Sequence, residues 1–166
     1  MQAFTLTSNV GLLRRLNTNI CVKSDYRNSS QAYDINTPWN AVWDTGATHT
    51  CISKKIRETL DLVPIGETET GTAGGLIKVK RYLVDILLPN DLIINNLQVI
   101  EVDLMSSGCD VLIGMDVITL GDFSLTNFTN KTVLSFRTPS CHCIDYVGEC
   151  NNSIAEVAIT NAEENS

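Results

Sequence analysis

One acid stands where an apolar strand should continue. Ala41-Val42-Trp43 reads as strand, Cys51-Ile52 resumes the pattern, and between them lies Asp44-Thr45-Gly46-Ala47-Thr48-His49-Thr50. A carboxylate at the end of a sheet interior is costly unless it has a partner. The expected company of Asp44 is a second copy of itself, because two carboxylates held together can divide the roles of general acid and general base. Taken alone, Asp-Thr-Gly is a short and common triplet that also fits an Asx-type turn at a strand end.

The elements that would position this acid read as strands and turns. Gln2–Thr7 alternates as a short strand, and another is expected around Ile20 and Val22. The polar stretch 24–37 is read as a surface loop with a short strand at Gln31–Ile35, after which Pro38 opens the strand leading to Asp44. Ser53 is a plausible cap for a two-turn helix with Ile56 and Leu60 four apart, ended by Pro64. Strands at Glu67–Thr72 and Leu76–Leu88, joined by Gly71-Thr72-Ala73-Gly74-Gly75, form a hairpin with a permissive tip. A strand pair, or one strand bent at Asn95-Asn96, follows over Asp91–Val102.

Val111-Leu112-Ile113-Gly114 is a compact apolar run, with a short helix over Met115–Leu120 behind it. A last hairpin joins Asp122–Phe128 to Thr132–Phe136. The expected fold is therefore all-β, a closed barrel with two short helices.

The Asp44 triplet, the glycine-tipped hairpin and Leu112-Ile113-Gly114 occur in an order and approximate spacing that resembles the retropepsin-like aspartic proteases, over Trp39–Thr138. The resemblance implies one acid-protease lobe per chain, at residues 1–139, followed by an acidic tail, 140–166, partly helical or disordered. It implies that Asp44 is the catalytic aspartate, with Thr45 bonding across a dimer and Gly46 admitting the substrate backbone. Ala47 and Thr48 then line the substrate, Gly71, Thr72, Ala73, Gly74 and Gly75 form a flap, and Leu112 and Ile113 prop the loop and border the pocket. Thr132–Phe136 falls where the family has its terminal interface strand.

Viral members place an arginine after the late glycine and acids after the small residue. Here Met115, Thr48 and His49 stand at those positions, so the chain is closer to cellular and bacterial members. Asp116 is read as a carboxylate at a helix start, bonded by nearby backbone N–H groups, and not as a catalytic partner. The expected activity is that of an endopeptidase whose two Asp44 carboxylates, one from each half of a homodimer, activate water against a peptide bond. A single triplet in the chain requires that dimer, since a two-lobed enzyme would need another. The alternative is a catalytically silent member of the fold that dimerises or binds peptides.

The formal net charge of −7 gathers toward the end, because no basic residue follows Arg137 while five acids do. Without a basic face, neither nucleic acid nor an anionic membrane is an expected partner. No apolar run approaches a bilayer span and the first twenty residues do not form a signal peptide, so the expected location is the cytoplasm. Cys21, Cys51, Cys109, Cys141, Cys143 and Cys150 are read as thiols, at least where they fall in strands or beside the site loops. Cys141-His142-Cys143 with Cys150 fits no common zinc spacing, and no metal or organic cofactor is expected.

Overall fold

Six strands close into a ring. The computed structural model describes residues 1–24, 37–72 and 74–151. In chain order the elements are β1 (Gln2–Thr7), β2 (Asn17–Ser24), β3 (Trp39–Trp43), β4 (Cys51–Ile52), α1 (Lys54–Thr59), β5 (Gly66–Thr72), β6 (Gly75–Leu88), β7 (Leu92–Glu101), β8 (Val111–Ile113), α2 (Met115–Ile118), β9 (Asp122–Thr126) and β10 (Val133–Thr138). The strands run β2-β3-β8-β4-β7-β6, and β6 returns to β2 through Cys21↔Leu87 to Ser24↔Val84, which closes the barrel. The all-β closed barrel read from the sequence is thus the fold of the chain. Among the described residues β5 pairs only with β6, and the two form a projecting hairpin.

Alternation decides which side of each strand is filled. Trp39, Ala41 and Trp43 of β3 point inward with Ile52, Val99, Val111 and Ile113, all buried in one core. The intervening residues Cys51, Ile100 and Leu112 lie on the opposite face, where Val79 of β6 covers them and Val102 flanks them. β3 and β8 are parallel, with Ala41↔Val111 and Trp43↔Ile113 in register. β4 is wedged between β8 and β7 through Cys51↔Leu112 and Cys51↔Ile100.

β1, β10 and β9 form a separate three-stranded antiparallel sheet. Its apolar face packs on the end of β3: the Trp43 ring lies 5.3 Å from Phe136, 5.5 Å from Phe123 and 6.0 Å from Phe4. Such ring pairs add about 0.5–1.5 kcal/mol each beyond their buried area. Trp43 Nε1 donates to buried Thr18 Oγ1 at 3.2 Å, so the residue before Asp44 is fixed at both ends of its indole. Gly121 joins α2 to β9 where a Cβ would stand 1.8 Å from Arg137 O, a space no other residue could use.

Several expectations change in detail. Of Thr132–Phe136, read as an interface strand, Val133–Phe136 belong to β10, the central strand of its sheet: β1 and β9 of the same chain occupy both its edges, so no second chain can pair there. The helix α1 has the expected cap, with Ile56 N–H donating to Ser53 Oγ at 3.4 Å, but it ends at Thr59, before Pro64, and Asp61 turns left-handed at φ 45°. Within Asp91–Val102, Leu92–Glu101 form one strand, β7, bent at Asn96 (φ 54°), whose N–H donates to Asp85 Oδ1 at 2.8 Å. In the tail, residues 146–151 are helical. The strand expected at Gln31–Ile35, the loop around it, and the tail beyond 151 lie outside the described residues. Among the described residues, no helix is long and apolar enough to cross a membrane.

Candidate active site

The Asp44 loop begins where β3 loses its neighbour. Asp44 N–H still donates to Ile113 O at 2.9 Å, one step beyond the Trp43↔Ile113 pair, so the aspartate enters the turn in strand register. Its Oδ1 then accepts from Gly46 N–H at 2.8 Å, and its carbonyl oxygen accepts from Ala47 N–H at 3.2 Å. These two bonds fold the chain back at once, and a Cβ on Gly46 would sit 3.1 Å from Asp44 Oδ1. The carboxylate is half-buried, with Thr45, Gly46, Thr48 and His49 exposed around it. Neither Asp44 Oδ2 nor the Thr45 hydroxyl has a hydrogen-bond partner among the described residues.

The far limb of the loop rests on the start of α2. Met115 N–H donates to Ala47 O at 2.8 Å and Asp116 N–H to Thr48 O at 3.3 Å. Asp116 returns both carboxylate oxygens to the loop: Oδ2 accepts from Thr50 N–H at 2.8 Å and Oδ1 from Thr50 Oγ1 at 2.7 Å. Thr50 is fully buried, and its hydroxyl oxygen also accepts from Gly114 N–H at 3.1 Å. Gly114 lies so close beneath that a Cβ would meet His49 C at 2.6 Å and Ala47 O at 2.9 Å. Asp116 Oδ1 does accept from Val117 N–H at 2.9 Å, as a carboxylate at a helix start would, and its bonds to Thr50 add a side-chain tie to the backbone bonds between helix and loop.

Beside the loop lies the second apolar cluster, with Cys51, Val79 and Ile100 buried and Leu112 half-buried against them. The Cys51 Sγ–H donates to His49 O at 3.2 Å. Burial first, then the charges of Asp116 and Asp44, push this thiol up to about 12, so it is a protonated wall and not a nucleophile. Ile113, by contrast, is fully buried in the main core and reaches the site only through its backbone.

The β5–β6 hairpin places Glu67 opposite Lys80 and Glu69 opposite Lys78 on one face, with Thr68 opposite Val79 and Thr70 opposite Ile77 on the other. Thr72↔Gly75 is its last pair, and Gly75 has φ 115°, which favours glycine there. Cβ atoms added at Gly71 and Gly75 would meet open space, while Leu76 is 76% exposed, so the tip stands clear of the body. Gly74 is exposed beside it, and Ala73 is outside the described residues. A concavity of about 1210 Å³ opens between α1, the β6 stretch Ile77–Tyr82 and the 101–110 connection, but Asp44 does not line it.

Of the residues singled out in the sequence, Asp44, Thr45, Gly46, Ala47 and Thr48 therefore form one turn on Ile113, with Leu112 beside it; the Gly71–Gly75 tip belongs to a separate projecting hairpin. Thr50 and the loop-holding side of Asp116 were missed. Their only sequence signal was position, two residues after Thr48 and two after Gly114. Among the described residues no group of three or more His, Cys, Asp or Glu side chains could hold a metal ion.

A family profile described as aspartyl protease matches residues 33–117, half of the chain, and the chain belongs to that family. Its retropepsin-like character is matched in three dimensions by a retropepsin-like aspartic protease from Rickettsia conorii, at 13% identity and a TM-score of 0.52, over 82% of this chain and 94% of that one. The EIAV protease in complex with an inhibitor aligns at 19% identity and a TM-score of 0.48, over 68% of this chain and 91% of that one. The retroviral protease-like domain of Ddi1 from Leishmania major aligns at 14% identity and 0.43, over 77% and 98%. No curated protein sequence matches.

Proposed function

We propose that the protein is an aspartic endopeptidase that acts as a homodimer, with the two Asp44 carboxylates facing each other across a two-fold axis. The observation that carries this reading is the state of Asp44: its loop is braced by Ile113, Gly46 and the Thr50–Asp116 pair, while Oδ2 is left without a partner among the described residues. A chain with one such aspartate needs a second copy to complete a dyad.

Two carboxylates at close range share one proton, since both cannot hold charge cheaply. The ionised member accepts a proton from water as the water oxygen bonds to the scissile carbonyl carbon. The protonated member donates to the carbonyl oxygen, giving a neutral tetrahedral diol. Proton transfer to the nitrogen then breaks the C–N bond, and the amine and the new acid leave.

In this reading the Thr45 hydroxyl bonds to the opposite loop, which fits its want of a partner among the described residues. Gly46 leaves room for the substrate backbone, while Ala47, Thr48 and Leu112 border the substrate side chains and Ile113 holds the floor from behind. The hairpin tip, Gly71, Thr72, Ala73, Gly74 and Gly75, closes over an extended peptide and adds main-chain hydrogen bonds. Residues 1–139 make up this catalytic unit, and 140–166 are a tail outside the chemistry.

The test is incubation with a peptide library at about pH 5, where a shared-proton dyad is active, with and without a statine-type inhibitor. Wild type is expected to cleave and to be inhibited, and Asp44→Asn to be inert. Cleavage that survives Asp44→Asn would remove the mechanism, and a wild type that binds peptides without cutting them would make the protein a binding module.

A further inference from the structure

The strand β6 changes partners at one residue. Arg81 is the last residue paired with β5, through Gly66↔Arg81, and the first paired with β7, through Arg81↔Ile100. Beyond it β6 is held on both sides, by β7 over Arg81–Leu88 and by β2 over Val84–Leu87. Before it, Gly75–Lys80 have β5 as their one strand partner among the described residues. Ile65 N–H donates to Arg81 O at 2.8 Å, so both stems of the hairpin leave the barrel at this point. The six pairs from Glu67↔Lys80 to Thr72↔Gly75 project about 20 Å beyond it, at about 3.3 Å per residue. A rotation of about 10° at Arg81 would therefore carry the far end through about 3 Å.

The residue after Arg81 is fixed by a carboxylate. Tyr82 is 1% exposed, and its O–H donates to Glu101 Oε2 at 2.9 Å. The same oxygen accepts from Arg57 Nε at 3.1 Å. Glu101 ends β7 and Arg57 lies in the last turn of α1, so one oxygen atom joins three elements at the root of the hairpin. The Arg57 carbonyl in turn accepts from Leu62 N–H at 3.0 Å, at the start of the short connection from α1 to β5. Burial first, then the bond to Glu101, raise the Tyr82 phenol to about 12, so it remains a donor across the working range of pH. On this side the stem is not packed on α1: the concavity of about 1210 Å³ separates Ile77–Tyr82 from the helix, and the bonds through Glu101 join α1 to β6 across that gap.

We propose that Glu101 is a positioning residue for the hairpin, setting the angle at which β5 and β6 leave the barrel and so how readily they close over an extended peptide. The inference rests on the reading above in which the hairpin closes on substrate. Removing the carboxylate leaves β6 in the barrel, since β7 and β2 still flank it, but it leaves the Tyr82 hydroxyl without an acceptor and frees Arg57 from the root. A buried hydroxyl with no acceptor favours whichever stem angle lets water reach it. The closed angle then holds a smaller share of the population. Apparent affinity for peptide falls by that share, while the chemistry of a bound and closed complex is unchanged.

The test is steady-state cleavage and amide hydrogen exchange on wild type, Glu101→Ala, Glu101→Gln, Tyr82→Phe and Glu58→Ala. Glu101→Ala is expected to raise KM by at least about fivefold with kcat within about twofold of wild type. Tyr82→Phe raises KM in the same way, and Glu101→Gln, which keeps an acceptor for the Tyr82 hydroxyl, raises it less. Glu58→Ala removes the exposed second partner of Arg57 and leaves KM as in wild type. Without substrate, the amides of Glu67–Gly71 and Leu76–Lys80 should exchange at least about fivefold faster in Glu101→Ala, while those of Val84–Leu87 keep their wild-type rates; a general loss of fold would speed both. An alanine variant that loses kcat with KM kept, or whose hairpin exchanges no faster than that of wild type, would overturn the role of Glu101 and leave the peptidase standing. A wild-type hairpin whose exchange is not slowed by a statine-type inhibitor would overturn the closing itself.

Discussion

Asp116 binds Thr50 twice, through Thr50 N–H to Oδ2 at 2.8 Å and Thr50 Oγ1 to Oδ1 at 2.7 Å, and the Thr50 oxygen passes the connection on to Gly114 N–H. Beside the backbone bonds of Met115 and Asp116 to the loop, this carboxylate–hydroxyl pair ties the Asp44 loop to α2 in a buried setting, where an unmade bond is expensive. Asp116→Ala leaves two donors of Thr50 without an acceptor, and a loss of about 1–3 kcal/mol in stability is expected. Asp116→Asn keeps one acceptor and costs less. Thermal melts give the order, and cleavage rates should fall in the same order if the pair positions the loop.

Gly114→Ala tests how closely the loop is seated. The new methyl would meet backbone atoms of His49 and Ala47 at 2.6–2.9 Å, none of which can rotate away as a side chain could. The loop must lift, and about 1–3 kcal/mol of stability should go with it. Because the displaced atoms follow Asp44 directly, cleavage should fall by more than the melting curve accounts for. A variant with wild-type kcat would show that the loop does not rest on Gly114.

Thiol labelling separates the cysteines. Cys141, Cys143 and Cys150 are exposed, whereas Cys51 is buried with its thiol raised to about 12, chiefly by desolvation. Since the thiolate is the reacting form, the exposed three should alkylate within minutes at about pH 8 while Cys51 stays unmodified until the protein unfolds. Peptide mapping of the alkylated sites reads this directly. Early labelling of Cys51 would mean that the cluster with Val79 and Ile100 opens in solution.

Asp122 predicts an acid dependence. Hydrogen bonds from Ser140, Cys141 N–H and Arg137 hold its carboxyl well below the ordinary range. A carboxylate depressed in the folded state gives stability that is fully present above its unfolded value of about 3.9 and is lost as the pH falls through the lower folded value. The difference in Tm between wild type and Asp122→Ala should thus hold steady from about pH 7 to about pH 5 and shrink only in stronger acid. A difference that already disappears near neutrality would contradict it.

The parts of the fold that the sequence revealed are those set by local pattern. The alternation through Trp39, Ala41 and Trp43, the glycines around residues 71–75 and the Ser53 cap each act over a few residues, and each leaves a periodic or turn signal. The pairing of β10 between β1 and β9 left none, because nothing in Val133–Thr138 says that Gln2–Thr7 will come to its edge. The Thr50–Asp116 pair was hidden for the same reason: a buried threonine and a helix-start aspartate are each ordinary, and only the parallel β3–β8 pairing brings them together.

The closed ring also governs when the site can exist. Asp44 is set by Ile113 and by α2, and Trp43 beneath it by Phe123 and Phe136, while Gln2 pairs with Thr138 across nearly the whole domain. A nascent chain that has emerged only as far as the hairpin holds the aspartate but neither its floor nor its brace. Contacts of such long range are slow to form, since the loops between them must close first. Under the proposed function, hydrolytic activity should therefore arise late, after residue 138 has been made and the ring has closed.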